Sequence, residues 1–176
     1  ELAARENCFV LMTSISSPAV SLPQAGIRTL GTNPLCYAFP LQEDIFCADF
    51  STSRVSRGKA IELQNAKQQF SEPVGYNAEG EPTTDPNHIL QYGLSSFDGG
   101  MKGILLNLML SVLAGPLIGG TPNHLVAGTR YTDKKPNKGD AIICIDMEQS
   151  CTQSLFNQNM AEFITVLEKN SEFHIP

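Results

Sequence analysis

The apolar positions of this chain fall in short clusters broken by proline, glycine and polar residues. Asn7 to Ile15 is rich in apolar and β-branched residues, which predicts a buried strand stopped by Ser16-Ser17-Pro18. A loop with Pro23 and Gly26 follows. Leu35 to Phe39 is bracketed by Pro34 and Pro40, so only a short strand fits there. Ile45 to Phe50 predicts another strand. Ser51-Thr52-Ser53 then offers hydroxyls for a helix cap, and the spacing of Ala60, Leu63 and Ala66 predicts a surface helix from Arg54 to Gln68. Val74 to Asn77 and Pro82-Thr83, around Glu79-Gly80, predict a small β-hairpin.

Thr84-Asp85-Pro86 predicts a helix start, with Asp85 capping and Pro86 in the first helical position; only a short helix fits before Gly93. Asp98 to Gly103 opens a long apolar helix. The stretch from Ile104 to Ile118 is interrupted by Asn107, Ser111, Gly115 and Pro116, which predicts a buried core helix and falls short of a membrane span. Asn107 and Ser111 share one helical face, so they should find partners in the core. Asp140 to Met147 predicts a strand. A last helix from Cys151 to Lys169 carries Phe156, Met160, Phe163 and Leu167 at helical spacing, a stripe suited to core or interface packing. Strands and helices mix without strict βαβ alternation. The fold class expected is α/β with an α+β-like character: a mostly antiparallel or mixed sheet flanked by helices, in a single domain over 1–176.

Charge changes the picture by exclusion. Eighteen acidic against twelve basic residues leave a formal net charge of −6, which argues against nonspecific nucleic-acid binding. Lys134-Lys135-Pro136-Asn137-Lys138 reads as a solvated turn, not a patch for RNA or membrane. The five cysteines, Cys8, Cys36, Cys47, Cys144 and Cys151, contain no C-x-x-C pair. Cys8, Cys36, Cys47 and Cys144 sit in apolar, strand-like runs, so buried reduced thiols fit better than zinc ligands or disulfides, and a reducing, cytoplasmic location is expected. Glu1-Leu2-Ala3-Ala4-Arg5 does not resemble a signal peptide, and both ends look like cuts within a longer protein.

There is no G-x-G-x-x-G, P-loop or G-x-S-x-G motif, and His88, His124 and His174 lack metal-ligand spacing, so they read as surface or loop residues. Three segments stand out. In Gly31-Thr32-Asn33-Pro34, Thr32 and Asn33 can offer donors toward a carboxylate or amide; the alternative is a turn that satisfies only its own backbone. In Asp49-Phe50-Ser51-Thr52-Ser53, a carboxylate and hydroxyls at a strand end can take a ribose edge or a phosphate; the alternative is plain helix capping. Arg57-Gly58-Lys59 follows one turn in, where cations oppose the helix dipole unless an anion offsets them. In Gly99-Gly100-Met101-Lys102-Gly103, glycines let a phosphate approach the backbone and Lys102 adds charge; the alternative is close helix packing.

In order and context these segments, GTNPLCYAFP, DFSTSRVSRGK, EPVGYNAEGEPTTDP and GGMKG with LAGPLIGG, resemble the type-2 malate/L-lactate dehydrogenase family. That family includes sulfolactate, ureidoglycolate, 2,3-diketogulonate and piperideine-2-carboxylate reductases. The resemblance implies a non-Rossmann cofactor domain and hydride transfer between NAD or NADP and the 2-oxo, 2-hydroxy or imine carbon of a small carboxylate. It implies cofactor contacts at Asp49, Phe50, Ser51, Gly100 and Lys102, and substrate contacts at Thr32, Arg57 and Gly58. It also implies a homodimer, while charge, the broken apolar stretch and the histidine spacing leave no nucleic-acid, membrane or metal partner expected. The family's catalytic acid, a histidine in a Ser-His-Gly motif, does not occur in this chain, so no catalytic residue is assigned. The chain departs further at Ser96-Phe97-Asp98, where a Leu-Pro-apolar run is common, and at Ser111, where a glutamate is common. Two readings therefore stand: a fragment of an active NAD(P)-dependent reductase, inactive alone, or an inactive module that only binds.

Overall fold

The computed structural model describes residues 1–127, 133 and 135–170. In chain order the elements are α1 (Leu2–Arg5), β1 (Cys8–Ser14), β2 (Val20–Ser21), β3 (Arg28–Leu30), β4 (Pro34–Leu41), β5 (Asp44–Ser51), α2 (Arg57–Ala66), β6 (Gly75–Tyr76), β7 (Pro82–Thr83), α3 (Pro86–Tyr92), α4 (Met101–Leu113), β8 (Asp140–Asp146) and α5 (Gln153–Asn170). The residues expected to form one domain pack as two compact units. Among the described residues, one holds 1–12, 36–49 and 142–170, and the other holds 13–35 and 50–141.

The first unit is built on a four-stranded sheet in the order β5-β4-β1-β8. β4 and β5 are joined by Gln42-Glu43 alone, with Gln42 at φ 55°, a connection that only antiparallel neighbours allow. Aromatic rings lock the hairpin: Phe39 stacks on Phe46 at 4.9 Å and Tyr37 on Phe46 at 5.6 Å. Phe156 of α5 meets Phe39 edge-on at 5.9 Å, so the predicted stripe does pack on the sheet. The packing is incomplete. Met160, Phe163, Ile164 and Leu167 face Tyr37, Leu41 and Phe46 across an apolar groove of about 380 Å³, and Phe163 stays 56% exposed. The strand expected to be buried, β1, buries only Thr13 fully; its other side chains remain partly exposed. The edge strand β8 is more open still, with Ile142, Cys144 and Ile145 exposed.

The second unit has the denser core, formed by Ala19, Val20, Leu30, Ala60, Val74, Ile89, Leu94 and Ile104. β2 pairs antiparallel with β3, and β6 with β7, the hairpin expected around Glu79-Gly80. Leu94 bridges to both Val20 and Gly75. Gly75 is required there, since a Cβ would lie 2.5 Å from the Gly93 carbonyl. α3 starts as predicted: Asp85 accepts from the Asn87 N–H and Pro86 opens the helix.

α2 differs from expectation. It begins at Arg57, capped by Ser56, whose hydroxyl accepts from the Lys59 N–H at 3.1 Å. Ser51-Thr52-Ser53 does not cap it, because the backbone is still paired as extended chain there: Ser53 bridges to Ser96, and the Arg54 N–H donates to the Ser95 carbonyl. α4 is a core helix on one face only. Gly103, Ile104, Asn107, Leu110 and Ser111 are buried, while Met101, Leu105, Leu108, Met109 and Val112 are exposed. Contrary to the sequence expectation, residues 101–118 are long and apolar enough to cross a membrane by length and composition. The α-helix itself ends at Leu113, and a short 3₁₀ turn runs from Pro116 to Ile118.

Candidate functional site

The site grows from the turn Gly31-Thr32-Asn33, which enters β4 in the second unit. Asn33 is wholly buried, and its amide group is the hub of a polar network. Its Nδ2 lies within hydrogen-bond distance of Asn107 Oδ1 (2.7 Å), Ser111 Oγ (2.8 Å) and Asn123 Oδ1 (2.7 Å). Its Oδ1 accepts from the Ser16 N–H. Asn107 donates to the Gly31 carbonyl at 2.8 Å, and Asn123 donates to the Ser16 carbonyl at 2.7 Å. Gly31 is required where it stands, because a Cβ would collide with Asn33 Oδ1 and the Ser16 carbonyl. The predicted core partners of Asn107 and Ser111 are thus Asn33 and Asn123. This is more than a turn that satisfies its own backbone, and it consumes the Asn33 donors inside the fold.

The turn is bonded to the exit of β5. The Thr52 N–H donates to the Thr32 carbonyl at 3.1 Å, and Thr52 Oγ1 donates to the Asn33 carbonyl at 2.9 Å. Thr32 is half-buried; its N–H donates to Ser16 Oγ and its hydroxyl lies 3.3 Å from the same oxygen. Ser51 Oγ, also half-buried, lies 2.9 Å from Ser53 Oγ. Phe50 is 42% exposed. Asp49 is exposed and belongs to the first unit.

The exit is in turn bonded to the entrance of α4. The Phe97 N–H donates to the Thr52 carbonyl at 2.9 Å, beside the Ser53–Ser96 bridge. Here Asp98 decides the chemistry. Its Oδ1 accepts from Ser96 Oγ (2.9 Å), the Gly100 N–H (2.9 Å) and the Gly103 N–H (3.1 Å). The Gly100 N–H, with Ser96 and Gly103 after it, holds the Asp98 carboxyl below the ordinary range against a smaller desolvation effect. Asp98 therefore occupies backbone donors that a phosphate would need. Gly103 also serves close packing, since a Cβ would strike Asp98 and sit 2.8 Å from Ser96 Cβ. Lys102 is exposed in the first turn of α4. Tyr76, whose hydroxyl donates to the Gly99 carbonyl, lines a cleft of about 250 Å³ with Arg54, Asp98 and Gly99; burial, and next the Asp98 charge, raise its phenol pKa.

Arg57 and Gly58 form the first turn of α2, where Lys59 pairs with Glu62 at 2.7 Å. Gly58 is free of crowding: a Cβ would meet nothing nearer than Ser56 Oγ at 3.7 Å. Thus Thr32, Ser51, Gly100 and Lys102 sit on segments joined by hydrogen bonds within the second unit. His88 is exposed on α3 against Tyr92, and His174 and Lys134 lie outside the described residues. Sequence reasoning missed Asn123 and Ser16, which complete the polar network. It also missed the gathering of Arg28, His124, Lys135 and Asn137 around a cavity of about 540 Å³. No local signal points to either, since their parts are far apart in the chain. Among the described residues no group of three His, Cys, Asp or Glu could hold a metal ion.

The malate/(S)-sulfolactate dehydrogenase of Methanothermus fervidus is 31% identical over 98% of this chain and 50% of its own length. The Δ1-pyrroline-2-carboxylate/Δ1-piperideine-2-carboxylate reductase of Pseudomonas putida is 37% identical over 65% of this chain and 34% of its own length. The solved sulfolactate dehydrogenase from Methanocaldococcus jannaschii superposes with a TM-score of 0.85 at 29% identity, over 98% of this chain and 49% of that one. The chain spans about half the length of the sulfolactate dehydrogenases it matches. The family model described as malate/L-lactate dehydrogenase matches residues 1–174, and to that family this chain belongs.

Proposed function

We propose that this chain is the cofactor-binding core of an NAD(P)-dependent oxidoreductase that moves hydride between nicotinamide and the 2-oxo, 2-hydroxy or imine carbon of a small carboxylate. The observation that carries the reading is the junction in which the Thr32 turn, the Ser51–Ser53 exit and the α4 entrance are hydrogen-bonded to one another. Relatives named for sulfolactate, malate and cyclic-imine carboxylates support the substrate class.

A nicotinamide dinucleotide, when bound, supplies the hydride; the residues here bind and orient. Phe50 and Ser51 take the cofactor at the β5 end of the second unit: Ser51 offers a hydroxyl and the exposed Phe50 ring an apolar face. Gly100 and Lys102 take it at the α4 end. Phosphate does not fit on the Gly100 and Gly103 N–H groups, which are bonded to Asp98, so Lys102 carries the charge there. The remaining acceptor capacity of Asp98 suits a ribose hydroxyl. Thr32, Arg57 and Gly58 take the substrate carboxylate, with the Arg57 guanidinium as the cation. The proton for the new hydroxyl comes from elsewhere in the parent protein, which acts as a homodimer.

Titrating the chain with NADH and with NADPH while following nicotinamide fluorescence tests the reading. Saturable binding that weakens at least about tenfold in Ser51→Ala or Lys102→Ala supports it. Absence of binding at millimolar cofactor, in the chain and in its full-length parent, overturns it.

A further inference from the structure

We propose that Cys36 and Cys47 are a modification site, a thiol pair that closes into a reversible disulfide across the β4–β5 hairpin. Their sulfurs lie 4.0 Å apart, and both residues are half-buried in the first unit. A disulfide needs about 2 Å between sulfurs, so the pair has about 2 Å to close. Phe39 and Phe46, also one on each strand, stack at 4.9 Å and help hold the two strands together. Cys8 is differently engaged, its thiol donating to the Glu6 carbonyl at 3.6 Å, and Cys144 is exposed on the edge strand.

Burial, then the hydrogen bond to Cys47, raises the Cys36 thiol pKa. With hydrogen peroxide as oxidant, the thiolate of one cysteine of the pair attacks one peroxide oxygen and the O–O bond breaks. A sulfenic acid forms, and the departing hydroxide takes a proton to become water. The sulfur of the other cysteine then attacks the sulfenic sulfur. The S–S bond forms, the S–O bond breaks, and a second water leaves with the thiol proton. Two electrons pass from the two sulfurs to peroxide. The pairing does not depend on the cofactor reading.

The test is to treat the purified chain with equimolar hydrogen peroxide, alkylate remaining thiols, digest, and identify crosslinked peptides by mass spectrometry. The expected product joins Cys36 to Cys47, lighter by two hydrogens, about tenfold or more above any other pairing, and lost on dithiothreitol treatment. Three outcomes overturn the proposal: both cysteines alkylated after oxidation, single sulfinic or sulfonic acids in place of the crosslink, or pairings with Cys8, Cys144 or Cys151 as abundant as Cys36–Cys47.

Discussion

Asn33 carries more of the site's architecture than any other side chain. It ties the turn before β4 to α4 through Asn107 and Ser111 and to the 3₁₀ turn at Asn123–Leu125 through Asn123. Replacing Asn33 with alanine leaves buried amide and hydroxyl groups without a partner. We expect a loss of about 2–4 kcal/mol in unfolding free energy, read from urea denaturation. Asp98 gives a pH signature of definite sign. Its folded pKa is depressed, so its stabilisation is present above the ordinary carboxyl value of about 4 and is lost as pH falls through the folded value. Melting temperatures of the parent chain and of Asp98→Asn should therefore differ most near neutrality and converge in acid. A gap that grows on acidification contradicts the assignment. Asp98 was visible in the sequence as a charge next to a glycine pair, but its engagement of Gly100 and Gly103 depends on a turn geometry that composition does not specify.

At the level of elements, capping decides where the helices begin and end. Ser56 caps α2, and Ser56→Ala should cost about 1 kcal/mol by urea denaturation. The helix ends on Lys67 in a left-handed conformation, φ 55° and ψ 37°. Glycine adopts that geometry without a Cβ penalty, so Lys67→Gly should stabilise the chain by about 0.5–1 kcal/mol. The Asp85-Pro86 start of α3 and the α5 stripe were legible because each is a local pattern, whereas β4 runs from Pro34 to Leu41, through both prolines that were expected to bound a shorter strand. The α2 start was displaced because tertiary pairing at Ser53–Ser96 keeps the backbone extended past the hydroxyl cluster. The polar face of α4 was legible as Asn107 and Ser111, whereas the partners they meet lie 74 and 78 residues away at Asn33, beyond any periodicity.

For the whole chain, family membership and partial coverage act together. The ordered motifs were enough to indicate the family and the mixed sheet, but the division into two compact units was not legible, because segments far apart in sequence make up each unit. Purified alone, the chain should show no measurable reduction of pyruvate or oxaloacetate with NADH or NADPH, since it carries no Ser-His-Gly acid. Turnover above background would contradict the assignment of no catalytic residue.

The openness of β8 has a consequence for anyone handling the protein. Its Ala141-Ile142-Ile143-Cys144-Ile145 run has no charge and no proline, and the strand ends the sheet with one side unpaired among the described strands. Such an edge is a template for another molecule's strand. Concentrated solutions should turn fibrillar on warming, with thioflavin fluorescence rising after a lag, and a lysine placed at Ile143 should lengthen that lag several-fold.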